Sequence, residues 1–92
     1  MATVPAMPDE IDLDSREYRY DQLAAIIRRR IRSGELAPGR PVPSKKTLVQ
    51  EYGISTRTVD TAMDILKEEG LIETRTGKGL YVLPRERWRR QP

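Results

Sequence analysis

The 92-residue chain predicts a mainly α domain that closes with a small β-hairpin: three helices, then two strands. Three observations carry that reading. Apolar residues recur at helical spacing in three stretches ahead of residue 70, and a glycine ends each stretch, at Gly34, Gly53 and Gly70. Two short runs of strand-forming residues follow, joined by Thr76-Gly77-Lys78-Gly79.

Residues 1–17 carry Pro5 and Pro8, few apolar side chains and the acids Asp9, Glu10, Asp12, Asp14 and Glu17, the composition of a flexible acidic N-terminal arm. The first helix is expected from about Tyr20 to Ser33, with Tyr20, Leu23, Ala24, Ile27 and Ile31 on one face. Arg28, Arg29, Arg30 and Arg32 crowd its last turns, where cations complement the helix dipole; contact with a polyanion is the alternative use of that run. Leu36-Ala37-Pro38-Gly39-Arg40-Pro41 reads as a turn-rich connection.

Ser44 is a natural N-cap for a short second helix whose buried side is Leu48, Val49 and Tyr52. Gly53 closes that helix and Ile54 plugs the corner. Ser55 caps the third helix, with Val59, Ala62, Met63 and Leu66 turned inward, and Gly70 stands where a left-handed residue ends it. Leu71 to Arg75 and Leu80 to Leu83 have strand character. Residues 84–92, PRERWRRQP, form a basic C-terminal tail or linker stub, in which Trp88 either packs back on the first helix or anchors a partner. The domain proper is therefore residues 18–83.

Composition excludes several functions. Without cysteine there is no disulfide or thiolate chemistry, and without histidine the usual proton shuttle and metal ligand are gone. Asp9, Glu10, Asp12 and Asp14 lack the glycine and final glutamate of a calcium loop, so no metal and no cofactor is expected. The domain is too short to enclose a large ligand cavity beside its core. An enzyme is not predicted. The longest apolar run, Leu23 to Ile27, is far short of a membrane span, and the N-terminus lacks the basic start and apolar stretch of a signal peptide. A cytoplasmic protein with no membrane partner is the economical expectation.

The net charge of +3 hides an asymmetry. Residues 1–17 set five acids against Arg16, which is −4, and the other 75 residues hold 16 basic and 9 acidic side chains, which is +7. A basic body suits a polyanion, because each neutralised phosphate releases condensed counterions.

Taking Val59 as the inward direction of the third helix and advancing 100° per residue turns Arg57, Asp60, Thr61, Asp64 and Glu68 outward, with Thr56 and Thr58 on the flanks. The acids at Asp64, Glu68 and Glu69 would be repelled by phosphates, so this helix should enter a DNA groove by its first two turns. Arg57 suits guanine or a phosphate; Thr56, Thr58 and Thr61 suit phosphate oxygens or a thymine methyl. Asp60 could accept from cytosine, or orient Arg57 or Lys46. The capped starts of both helices, at Ser44 and Ser55, favour a nearby phosphate, and Lys45 and Lys46 stand at the start of the second helix to meet the backbone. Arg75, Thr76, Gly77, Lys78 and Gly79 make a basic hairpin end that could approach the minor groove.

The ordered set Tyr20…Leu23…Ile27…Ile31-Arg32-Ser33-Gly34…Leu36-Ala37-Pro38-Gly39, Val42-Pro43-Ser44, Tyr52-Gly53-Ile54-Ser55, Thr58-Val59…Ala62…Leu66…Glu69-Gly70-Leu71-Ile72 and Gly77-Lys78-Gly79…Val82 resembles the DNA-binding domain of the GntR family of bacterial regulators. The resemblance covers roughly residues 18–83. It implies a winged helix-turn-helix (three helices plus a two-stranded wing), a double-stranded DNA partner, a homodimer on a short palindromic operator, and usually repression. By position, Lys46 takes the place of a DNA-contacting arginine, Ser55 to Thr58 open the recognition helix, and Gly77 and Lys78 form the wing. Three positions depart from the pattern: Thr56 where arginine is frequent, Asp60 where a basic residue is frequent, and Lys45 where an acid is frequent. The family's usual operator is therefore not assumed. Its effector-binding C-terminal domain has no counterpart here, so an effector ligand is expected only if such a domain is absent from this chain. The competing expectation is a winged-helix protein-interaction module with only non-specific DNA affinity. A further one is that the −4 arm folds over the basic surface and weakens non-specific binding.

Overall fold

Most helix boundaries follow from local capping signals, although the first helix begins after Tyr18 without a side-chain cap. The computed structural model describes residues 10–14 and 16–88, arranged as α1 (Arg19–Ser33), α2 (Lys45–Tyr52), α3 (Thr56–Glu68), β1 (Ile72–Arg75), β2 (Gly79–Val82) and a short 3-10 turn at Arg85–Arg87. Of the segments read as arm and tail, residues 1–9, 15 and 89–92 lie outside the described residues, and Pro5, Pro8 and Asp9 with them.

Ser44 and Ser55 cap α2 and α3, accepting from the backbone N–H of Thr47 and Thr58. At the end of α3, Gly70 has φ +77°, and its N–H donates to Lys67 O while that of Leu71 reaches Leu66 O. These are the two bonds of a Schellman ending, which needs a residue in the left-handed region and so favours glycine.

Leu23, Ile27 and Ile31 of α1, Leu48 of α2, Val59 and Leu66 of α3, and Leu71, Ile72 and Val82 are all essentially fully buried in one core. Each such side chain contributes about 1.5–3 kcal/mol relative to exposure. The buried stripe of α1 is wider than the expected face, taking in Ile26 and Gln22, while Tyr20 is only half-buried. Val49, expected on the buried side of α2, is also half-buried, because this two-turn helix offers the core only Leu48 and Tyr52.

The hairpin pairs Ile72 with Val82, Glu73 with Tyr81, Thr74 with Leu80 and Arg75 with Gly79. Its strands lie one residue away from the expected starts, at Ile72 and Gly79. The turn-rich connection also does more than turn. Pro41 forms an antiparallel bridge with Tyr81, Gly39 donates to Val82 O and Val42 to Leu80 O at 2.8 Å each, and Val82 donates back to Arg40 O. This strip covers the outer edge of β2. Pro41 is tolerated there because its missing N–H falls on an edge where its neighbours supply the donors.

Two of the clustered arginines hold the helices together. Arg28 places Nε and a terminal nitrogen on the two carboxylate oxygens of Glu69, both at 2.6 Å, which joins α1 to the end of α3 and raises the Arg28 pKa. Arg30 donates to Glu35 at 2.7 Å and to the Tyr52 hydroxyl at 3.3 Å. At the C-terminal end, Trp88 packs against the core, its indole N–H donates to Leu83 O at 2.7 Å, and Arg85 lies over its ring while donating to Arg32 O. Trp88 thus packs on its own domain.

Candidate nucleic-acid interface

The starts of α2 and α3 are built by the same device. Ser44 Oγ lies 2.8 Å from Thr47 Oγ1, and Ser55 Oγ lies 2.9 Å from Thr58 Oγ1, so each cap is a serine–threonine pair spanning the first turn. The pairs fix where each helix begins and leave the remaining first-turn amides pointing out of the helix end. The Thr61 hydroxyl donates to Arg57 O at 3.1 Å, while Thr56 and Arg57 are exposed. Asp64 and Glu68 are exposed further along, so the polar face of α3 changes from basic to acidic as the wheel projection requires.

The basic residues sort into engaged and free. Lys45 Nζ is 2.8 Å from Asp60 Oδ1, which ties the first turn of α2 to α3. Asp60 therefore orients neither Arg57 nor Lys46, as the sequence had suggested; Lys45 is the cation within its reach. Arg75 is held along the hairpin, 3.4 Å from Glu73 and with its guanidinium 4.3 Å from the centre of the Tyr81 ring. By contrast, Lys46, Arg57 and Lys78 are exposed, and their side-chain cations have no ion-pair or hydrogen-bond partner among the described residues.

The hairpin tip is closed by Lys78 N–H donating to Arg75 O at 2.9 Å, with Gly77 at φ +77° and Gly79 at φ +103°. Those angles, rather than crowding, demand glycine: a Cβ on either would meet nothing within 4 Å. Thr76 and Lys78 are exposed on this tip. Ser44, Lys45, Lys78 and Gly79 line one groove of about 300 Å³, so the start of α2 and the wing tip are neighbours. A second groove, of about 430 Å³, runs between α2, α3 and the hairpin, with Leu48, Val59 and Met63 in its floor and Lys45, Asp60, Asp64 and Lys67 on its rim.

Among the described residues no three His, Cys, Asp or Glu side chains converge as a metal site, and no helix is long and apolar enough to cross a membrane.

This arrangement is a winged helix-turn-helix, and known proteins share it. The family model described as "Bacterial regulatory proteins, gntR family" matches residues 19–82. The mannosyl-D-glycerate transport/metabolism system repressor MngR of Escherichia coli is 41% identical over 63 residues, which are 68% of this chain and 26% of that protein. The transcriptional repressor NagR of Bacillus subtilis is 36% identical over the same shares of the two chains. The curated relatives are much longer: this chain spans 14% to 26% of their length. Among solved structures, YtrA from Sulfolobus acidocaldarius, a GntR-family transcription factor, superposes with a TM-score of 0.76 at 35% identity, covering 82% of this chain and 79% of that one. The DNA-binding domain of AraR in complex with operator ORX1 superposes at 0.70 with 26% identity, covering 79% and 94%.

Proposed function

The chain belongs to the gntR family of bacterial regulatory proteins, and from that premise we propose that it represses transcription by binding a short palindromic operator as a homodimer. It is a DNA-binding transcriptional regulator. The first two turns of α3 enter the major groove, and the wing reaches the minor groove. Arg57 reads a base edge, with Thr56, Thr58, Thr61 and Asp60 beside it. Ser44, Lys45, Lys46 and the caps at Ser55 lie along the phosphate backbone, and Arg75, Thr76, Gly77, Lys78 and Gly79 form the wing contact.

The observation that carries this reading is the distribution of free cations. Lys45 and Arg75 are engaged in ion pairs, while the side chains of Lys46, Arg57 and Lys78 have no partner among the described residues, one each on α2, α3 and the hairpin tip that a groove-bound domain would present. Residues 18–83 are the DNA-binding unit, acting in the cytoplasm without cofactor or catalysis. A small-molecule effector would need a C-terminal domain outside these 92 residues.

Selection from a random duplex pool at low and near-physiological salt tests the proposal. Enrichment of a two-fold-symmetric motif that survives the higher salt supports it, and binding confined to low salt with no motif rejects it. The second reading, a protein-docking module with non-specific DNA affinity, is favoured by the groove floored by Leu48, Val59 and Met63. That reading predicts the motif-free outcome.

A further inference from the structure

The segment ahead of α1 is turned back against the domain by one buried side chain. Gln22, 8% exposed, accepts from Asp12 N–H at 2.8 Å and donates through its amide nitrogen to Asp12 O and Glu17 O, both at 3.0 Å. Ile11 packs on the core beside it. The amide oxygen and nitrogen of Gln22 are thus both used, holding Asp12 and Glu17.

The loop has a consequence for the start of α3. A cleft of about 440 Å³ separates it from Thr58, and Arg16, Glu17 and Arg19 line that cleft together with Thr58 and the tyrosines. Tyr18 and Tyr20 stack with ring centres 5.2 Å apart and planes within 7°, which stiffens the stretch that carries Arg19. Arg16 and Arg19 are exposed and have no ion-pair or hydrogen-bond partner among the described residues. Among the acids of the same segment, the Asp12 carboxylate accepts from Asp14 N–H at 2.9 Å, and Glu17, which lines the cleft beside the two arginines, has a partner of its own.

We propose that Arg16 and Arg19 form a phosphate-binding lip for double-stranded DNA beside the leading end of α3, and that Gln22 is the positioning residue that holds the lip in place. The inference rests on the reading of α3 as the major-groove element. A helix whose first two turns enter a groove about 12 Å wide is flanked by the sugar-phosphate backbone, and the flank at Thr58 is where the two arginines stand. The segment as a whole is acidic, so its summed charge predicts repulsion; the local arrangement sets two exposed arginines against one partnered carboxylate at the cleft and predicts attraction. The contact is with phosphate and carries no base preference.

The test uses the full chain and two labelled duplexes of equal length, one carrying the selected motif and one of random sequence, titrated over a salt series. Arg16→Ala and Arg19→Ala alter exposed side chains and leave the core intact. Each should weaken binding to both duplexes by a similar factor and lower the slope of log affinity against log salt by about one. Gln22→Ala, with helix content checked by circular dichroism, should reproduce the loss seen for Arg16→Ala. An unchanged slope in both arginine variants, with wild-type binding still sensitive to Lys78→Ala, overturns the lip while sparing the proposed function. Tighter binding by Arg16→Ala overturns it too. Failure of the wild-type chain to bind either duplex sinks the major-groove reading and the lip together.

Discussion

Lys45 and Asp60 are joined by a 2.8 Å ion pair that spans from the first turn of α2 to the second turn of α3. The pair bridges the two helices at the end proposed to face DNA, and it neutralises one of the lysines that the sequence offers to phosphate. Both side chains are about half exposed, so the pair contributes under about 1 kcal/mol to stability. Its larger effect is on charge, because Asp60 is an anion close to the proposed groove.

Asp60→Asn should therefore tighten binding to random-sequence DNA, most at low salt, and steepen the salt dependence by about one phosphate equivalent as Lys45 is released. Urea unfolding should move by less than about 1 kcal/mol. Weaker binding to random DNA would mean that the pair orients Lys45 productively.

The Arg28–Glu69 clamp is bidentate, with side chains only 26% and 18% exposed, and it joins α1 to the end of α3 across 41 residues of sequence. Glu69→Ala leaves the guanidinium without its partner and should lower unfolding free energy by about 1–2 kcal/mol, after allowance for partial exposure. DNA affinity measured well below the melting range should not change. A stability loss below the precision of denaturant titration would show that water replaces the carboxylate at no cost.

Ser55→Ala removes the oxygen that accepts from Thr58 N–H and should destabilise the domain by about 1 kcal/mol; Ser55→Gly should cost only a few tenths. Thermal unfolding of the two variants side by side distinguishes lost capping from any general intolerance at this position.

Trp88 is the chain's one tryptophan, half-buried, with its N–H given to Leu83 O and its ring under Arg85. Its emission should be blue-shifted relative to the free indole, and Arg85→Ala should shift it towards the red without altering helix content. Emission already at the position of a solvated indole in the wild type would contradict the packed tail.

Much of the fold is legible in the sequence because the signals are local. Ser44 and Ser55 each precede a threonine by three residues, and Gly53 and Gly70 end helices where a left-handed conformation is needed, so a short window contains both the cause and its effect. The outward face of α3 follows from one inward residue and the helical repeat. What the sequence hides is pairing across distance. Nothing around Arg28 points to Glu69, nothing around Pro41 points to Tyr81, and the amide of Gln22 finds its partners ten and five residues upstream. The same blindness holds for Asp60: the sequence offers Arg57 or Lys46 as its partner, whereas the packing of α2 on α3 brings Lys45 within reach. Arg16 and Arg19 carry no signal in the sequence, because the composition of their segment, read as a whole, is acidic.

Base reading by Arg57 is tested on a set of duplexes in which each position of the selected motif is changed singly. Binding of the wild type and of Arg57→Ala to the whole set is compared at one near-physiological salt concentration. Arg57→Ala should lose about 1–3 kcal/mol on the full motif and, at one position per half-site, the wild type's preference should disappear. A uniform weakening on every duplex, with all preferences intact, would contradict it and reduce Arg57 to a phosphate contact.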